Sequence, residues 1–252
     1  MSEAYEILGN SAHGGLLIIV DHASNHVPDG IELGIDTCVL QKHIAWDIGV
    51  AAVARRIAAL ADCTAILASK SRLVVDLNRY AFEDAVIPVV SDGVAIPGNR
   101  ISNDARNVRL RRYYHPYHDW IAANLKAARP ALILSLHSFT PQLDSKPEEK
   151  RPWEIGILYN QDDRAARLAI PMLEKFGLNV GDQQPYSGKH LNATMNQHAE
   201  ANSIAYLGVE VRQDLIINET GQERFAGILA KTCYKIIKKL CADTRNEYAS
   251  NA

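Results

Sequence analysis

A chain of 252 residues with 27 Lys and Arg against 29 Asp and Glu carries a formal charge of −2, with both signs interspersed. That balance gives no electrostatic reason to expect nucleic acid or an anionic membrane as a partner, and a small solute fits better. The opening MSEAYEILGN lacks the basic start and apolar core of a signal peptide, and no apolar run approaches the length of a membrane span, so a cytoplasmic protein is expected.

No Pro, Gly or Ser-rich linker divides the chain, which predicts one domain over residues 1–252 and leaves homo-oligomerisation open. Cys38, Cys63, Cys233 and Cys241 form no C-x-x-C pair and read as reduced, mostly structural thiols. Leu16–Val20 is an apolar, strand-like run with Asp21 and His22 at its carboxyl end. Residues 43–61 carry Ile44, Ile48, Ala51, Ile57 and Leu60 at helical spacing, with Arg55 and Arg56 off that stripe, which predicts an amphipathic helix. Thr64–Ala68 reads as a short strand and residues 73–76 as another, leading into Asp76-Leu77-Asn78-Arg79. Pro88, Gly93, Pro97 and Gly98 predict an irregular stretch, and Pro116 predicts that the helical residues 103–129 are kinked or form two helices meeting near His115.

Residues 131–136 form the next apolar run, with His137 at its end. A strand over 155–159, a helix over 162–176, a shorter helix over 193–202 and a buried strand over 204–211 follow, the last containing Glu210 and leading to Arg212. Thr220-Gly221-Gln222-Glu223 fits a capping box for a final helix whose core face is Phe225, Ile228, Leu229, Cys233, Ile236, Ile237 and Leu240. Strands alternating with helices predict a three-layer α/β/α fold around a mostly parallel sheet. In such a sheet the carboxyl ends of the strands line one crevice, so His22, Asp76, Arg79, His137 and Glu210 are expected to converge. Two imidazoles, several carboxylates and an arginine in one cleft point to metal-assisted hydrolysis of a small anionic substrate.

Three superficial motifs are set aside. His22 and His26 share the spacing of a metalloprotease helix, but its Glu is absent and Pro28 follows closely. Ser135 lacks the G-x-S-x-G elbow of a serine nucleophile, and the switch-like Gly221-Gln222-Glu223 has no phosphate-binding loop to serve.

The run His22-Ala23-Ser24-Asn25-His26-Val27-Pro28, the Asp76-Leu77-Asn78-Arg79 tetrad, Leu136-His137-Ser138 and Val209-Glu210-Val211-Arg212-Gln213-Asp214, in that order, resemble the N-formylglutamate amidohydrolase family. Pro185-Tyr186-Ser187-Gly188 looks like one of its loops, which makes Ser187, with Arg212, a candidate substrate contact. The family is in turn similar to zinc carboxypeptidases and aspartoacylases. The resemblance implies a phosphorylase/hydrolase-like, zinc carboxypeptidase-like fold, one zinc ion, Asn78 and Arg79 holding a substrate carboxylate, and Glu210 as the catalytic glutamate. Where those enzymes use His-x-x-Glu, this chain has His22-Ala23-Ser24-Asn25, and an amide is a poor zinc ligand, so the carboxylate must come from elsewhere. The Trp46-Asp47 region resembles an aspartate-bearing segment of the family, which makes His22, Asp47 and His137 the ligand set, with Asp47 entering from the first helix. Asn25 and Asp21 are the alternatives for the third ligand, and Asp47 could instead pair with His43 one helical turn away.

Asp21 stands where deformylases commonly carry proline, and a carboxylate there would orient a ligating histidine. Glu210 in an apolar strand must pair or work: it is either an ion-pair partner of Arg212 or the general base. Asp76 is expected to hold Arg79, and Arg72 either serves that network or polarises the scissile carbonyl. The implied activity is zinc-dependent hydrolysis of an N-formyl or other N-acyl amino acid, most simply N-formylglutamate to formate and glutamate. A carboxypeptidase-like or other N-acyl-amino-acid hydrolase, and a metal-free small-molecule-binding α/β protein, are the alternatives.

Overall fold

Apolar runs buried on both faces form the middle of a seven-stranded sheet in the computed structural model, which describes residues 3–9 and 15–250, with side chains as far as Asp243. The strands in chain order are β1 (Tyr5–Leu8), β2 (Leu16–Val20), β3 (Thr64–Ala68), β4 (Val90–Ser91), β5 (Val94–Ala95), β6 (Leu132–Phe139), β7 (Ile155–Leu158), β8 (Val180–Asp182) and β9 (Tyr206–Arg212). The helices are α1 (Val50–Ala61), α2 (Asn103–Arg109), α3 (His115–Ala127), α4 (Arg164–Glu174), α5 (Ala193–His198) and α6 (Glu219–Ser250). The sheet runs β1-β3-β2-β6-β9-β7-β8, while β4 and β5 make a separate hairpin. The four central strands β3, β2, β6 and β9 are mutually parallel, and β1 and β7 join them antiparallel. Every residue of β2 and β6 is buried, as both faces of a parallel sheet must be. Helices α1, α4 and α6 pack together against one face, which leaves the other to α3 and α5. Among the described residues no helix is long and apolar enough to cross a membrane.

The mostly parallel α/β architecture is the one expected, with three local corrections. Residues 73–76 are not a strand: the Ser71 hydroxyl accepts from Leu73 N–H and the Ser71 carbonyl from Val74 N–H, curling this buried apolar run into a turn after β3. The first helix begins at Val50 rather than 43, so Asp47 lies in the turn before it. As expected, residues 103–129 divide into two helices, α2 and α3, the second starting at His115 with Pro116 in its first turn; a π-helical turn at Leu110–Tyr114 takes up the change of hydrogen-bond register between them. The last helix is capped by Asn218, whose side-chain oxygen accepts from Gly221 N–H, two residues before the capping box proposed at Thr220.

Gly49 fixes where α1 can start. It has φ of 87°, in the left-handed region that favours glycine, and a Cβ there would collide with the carbonyl oxygen and side chain of Ile216. Gly49→Ala should lower the unfolding free energy by about 1–3 kcal/mol from the backbone strain alone. Urea denaturation checks it: a lower midpoint with an unchanged slope is expected.

Candidate active site

Because β3, β2, β6 and β9 are consecutive and parallel, the segments leaving their carboxyl ends meet in space. His22 follows β2, His137 and Glu210 are register partners on β6 and β9, and Arg72, Asp76, Asn78 and Arg79 lie on the loop after β3. They line a cavity of about 160 Å³ together with Asp47, His43 and Tyr186, apart from Asp76, which backs His22.

Asp47 is the meeting point. Its backbone N–H donates to the His22 carbonyl, and its Oδ2 lies 3.3 Å from His22 Nδ1 and 2.9 Å from His137 Nδ1. His22, Asp47 and His137 are all buried, and each offers a ligand atom within 4.8 Å of the others. Two imidazoles and a carboxylate aimed at one point, with a cavity on the open side, are able to hold a single divalent ion. Asn25 is turned away, its amide donating to the Leu40 carbonyl. The intrahelical His43–Asp47 pair does not form, since Asp47 is outside the helix and His43 Nε2 sits 3.1 Å from Asp92.

Each imidazole has a further carboxylate on its second nitrogen. Asp76 Oδ1 is 2.8 Å from His22 Nε2, and Asp21 Oδ2 is 3.7 Å from His137 Nε2. Asp21 is itself anchored by the Tyr117 hydroxyl at 2.8 Å. Asp76 holds Arg72 rather than Arg79: Arg72 Nε and Nη2 donate to its Oδ2 at 3.2 and 2.8 Å, and Arg72 Nη1 is 3.5 Å from Asp47 Oδ1. Arg72 thus serves the carboxylate network first. Asn78 Oδ1 accepts from Thr194 N–H, and Arg79 Nη1 donates to the Asn78 carbonyl, with no ion pair to Arg79 among the described residues.

Two expected substrate contacts are not brought into the cavity. Arg212 is the last residue of β9, and where the strand turns its guanidinium folds back on Asp214 at 2.8 Å and on the carbonyls of Pro152 and Trp153. The expected shared orientation with Glu210 is lost there. Ser187 uses its hydroxyl to accept from Lys189 N–H and closes its own turn, while the adjacent Tyr186 reaches the cavity. Neither Tyr186 nor His43 was a site candidate in the sequence, where His43 was weighed only as a partner for Asp47; the aromatic residue between Pro185 and Gly188 was the available signal for the first.

The electrostatics follow from burial. Burial resists charge on Asp47, yet the two histidines hold its carboxyl far below the usual range. Burial also opposes protonation of His137, but the hydrogen bond and charge of Asp47, with Glu210 and Asp21, raise it to about 9. Glu210 goes the other way: burial pushes it up to about 7, and its Oε2 has no hydrogen-bond partner. Asp76 is held well below 3.8, because Arg72 and His22 outweigh its burial.

A carboxylate–histidine cluster at the carboxyl ends of a parallel α/β sheet has the make-up of a hydrolytic active site. The chain belongs to the N-formylglutamate amidohydrolase family, whose profile matches residues 14–217. It is 31% identical to a gene product of Agrobacterium tumefaciens of known structure, with a TM-score of 0.88 over 94% of this chain and 96% of that one. The N-formylglutamate amidohydrolase of Ralstonia eutropha JMP134 shares the fold at 16% identity, with a TM-score of 0.76 over 96% of this chain and 99% of that one. No curated protein matches the sequence significantly.

A carboxyl depressed in the folded state contributes stability that is fully present above its unfolded value and drains away as pH falls below it. Asp76→Asn should therefore soften the loss of stability below about pH 4, where the unfolded carboxyl titrates. At neutral pH the same change should cost on the order of 3 kcal/mol, because Arg72 and His22 lose a buried partner. Urea denaturation across the acid range reads both effects.

Proposed function

We propose that this member of an amide-hydrolysing family is a zinc-dependent enzyme that removes a formyl or similarly small acyl group from an N-acyl amino acid, with N-formylglutamate the simplest substrate. The observation that carries the reading is Glu210: a buried carboxylate with an unpartnered oxygen and a pKa near 7, in one cavity with His22, Asp47 and His137. A group titrating near neutral pH can both accept and return a proton.

His22, Asp47 and His137 would hold the ion, and Asp76 and Asp21 would orient the two imidazoles. A bound divalent ion would supply positive charge that polarises an amide carbonyl and acidifies water. Glu210 accepts a proton from the attacking water and returns it to the leaving nitrogen. Arg79, half-buried with no acidic partner among the described residues, pairs with the substrate carboxylate, and the Asn78 amide donors share that task. The cavity of about 160 Å³ favours a small acyl group, being below the roughly 300–1,000 Å³ of ordinary ligand pockets. A cytoplasmic setting and a free small-molecule substrate, without nucleic acid or membrane, belong to the same proposal.

Elemental analysis of protein purified without added metal, followed by acid release from a panel of N-acyl amino acids, tests the reading. About one zinc per chain and formate release are expected; a metal-free protein that binds but does not cleave would support the non-catalytic alternative, and preference for larger acyl groups or peptides would support the other hydrolases. His22→Ala and His137→Ala should each lose most of the metal.

Glu210→Gln should lower kcat by about 10²- to 10⁴-fold with metal content and KM little changed, since only the proton carrier is removed. Steady-state kinetics with metal analysis decide it, and near-normal turnover would move the role to another group. Arg79→Lys keeps the charge but loses the planar fork, at about 1.5–3 kcal/mol per charged hydrogen bond. The expected result is a large fall in kcat/KM for free-carboxylate substrates and little change for the poor, blocked ones. Equal proportional loss on both would remove Arg79 from the substrate site.

A further inference from the structure

The cavity contains a hydrogen-bond donor that the roles above do not use. Tyr186 lies on the connection from β8 to α5, and that connection folds back over the sheet beside Glu210. The close approach is possible because Gly156, the β7 register partner of Glu210, has no side chain: a Cβ on it would collide with the Gln184 carbonyl oxygen. The loop therefore rests on bare backbone, and Tyr186 is carried to the cavity wall.

Behind Tyr186 is Arg151, only 8% exposed and in no ion pair among the described residues. Its Nη1 donates to the Tyr186 hydroxyl at 2.8 Å and to the Thr140 carbonyl at 3.3 Å, and its guanidinium lies 4.9 Å from the Tyr186 ring centroid. A buried cation without a carboxylate is costly, and it is retained here against the hydroxyl of a tyrosine that lines the cavity.

A tyrosine hydroxyl has one donor and two acceptor lone pairs. Arg151 donates into the oxygen, so the Tyr186 proton must point elsewhere, and no described residue accepts it. Among the other cationic or donor groups of the cavity, Arg72 is committed to Asp76 and Asp47 and His43 to Asp92, while Arg79 and Asn78 are already assigned to the substrate carboxylate. Burial, ahead of the nearby Glu210 charge, raises the phenol pKa, so this group is a donor rather than a base.

We infer that Tyr186 is a further catalytic residue, donating its hydroxyl hydrogen bond to the acyl oxygen of the scissile amide as that oxygen gains negative charge, and that Arg151 is its positioning residue. When water adds to the acyl carbon, the C=O π pair moves onto oxygen; when the C–N bond breaks, that pair returns and the nitrogen leaves with the proton from Glu210. The Tyr186 proton stays on Tyr186 throughout. Its contribution is a preorganised dipole at the developing charge, polarised from behind by the Arg151 cation. The assignment rests on the amidohydrolase reading and adds to it the group that faces the acyl oxygen, the role for which Arg72 was the sequence candidate.

The test uses the metal-loaded full chain and its Tyr186→Phe, Arg151→Lys, Arg151→Met and Arg151→Met/Tyr186→Phe variants, with kcat, KM, metal content and thermal midpoint measured for each. If the parent releases no acid from any N-acyl amino acid, the amidohydrolase reading fails and this inference with it. If the parent is active, Tyr186→Phe should lose about 10²- to 10³-fold in kcat, as removal of one oxyanion donor does. KM should stay within about threefold of the parent, since the contact strengthens only in the transition state. Metal content should not change. Arg151→Lys should retain more activity than Arg151→Met, and the double variant should be no slower than Tyr186→Phe alone, because residues acting as one unit are not additive.

A Tyr186→Phe kcat within about threefold of the parent, or a loss confined to KM, would overturn the catalytic role. Additive losses in the double variant would remove Arg151 as the positioning residue. Should Arg151→Met fail to fold, the same cycle run with Arg151→Lys decides the second point.

Discussion

Burying the Asp47 carboxylate at 4% exposure carries a desolvation cost of several kcal/mol, met only if cations and hydrogen-bond donors surround it closely. They come from separate stretches of chain: His22 after β2, Arg72 after β3, and His137 with the Ser138 N–H near the end of β6. The Asp47 backbone is tied to the His22 carbonyl as well. A charge that must be satisfied from several directions clamps these strand ends to one another. The spacing of the two imidazoles is thus a property of the fold and does not wait for a ligand to impose it.

The second ring of groups is unequal on its two sides. Asp76 contacts His22 at hydrogen-bond distance and is locked by Arg72, whereas Asp21 stands 3.7 Å from His137 and is held from behind by Tyr117. Tyr117 belongs to α3, so that helix braces Asp21 through the Tyr117 hydroxyl. Beyond it, His118 and His198 stack with their rings 12° from parallel, and burial pulls His118 down to about 3. Its Nε2 lies 3.1 Å from the Leu77 carbonyl, so the His118–His198 pair is a neutral, structural hydrogen-bond chain under the β3 loop. One histidine pair faces the cavity as a charged cluster, and the other supports it uncharged; burial and the presence or absence of Asp47 make the difference.

The parts legible in the sequence are those in which an apolar run stops at a reactive side chain. His22, His137 and Glu210 stood out for that reason, and adjacent parallel strands bring them together. Asp47 had no such local signature, and it emerged only through a family likeness. The helix assigned around it was wrong because apolar spacing at Ile44 and Ile48 continues through a turn that Gly49, at positive φ, ends. Residues 73–76 misled in the same way, since a buried turn and a buried strand have the same composition. The Asp76–His22 contact spans 54 residues and the Arg151–Tyr186 contact 35, and nothing in local periodicity encodes pairs at that range. Arg212 shows the complementary failure: alternation along a strand holds only while the strand lasts, and β9 ends at that residue.

The antiparallel direction of β7 also bears on how such a site can diversify. Ile155 opens β7 opposite Val211, at the same end of the sheet as Glu210, so residues 140–154 pass from β6 to β7 along the rim of the cavity without a crossover helix. Parallel neighbours cannot be joined so directly. This rim segment includes Thr140 at the cavity wall and Arg151 behind Tyr186, while residues 142–150 are exposed or partly exposed. Length changes between those two anchors would reshape the entrance while the strands, and the carboxylate clamp beneath them, keep their register. Loop exchange there offers a route, natural or engineered, to new acyl preferences on an unaltered catalytic floor.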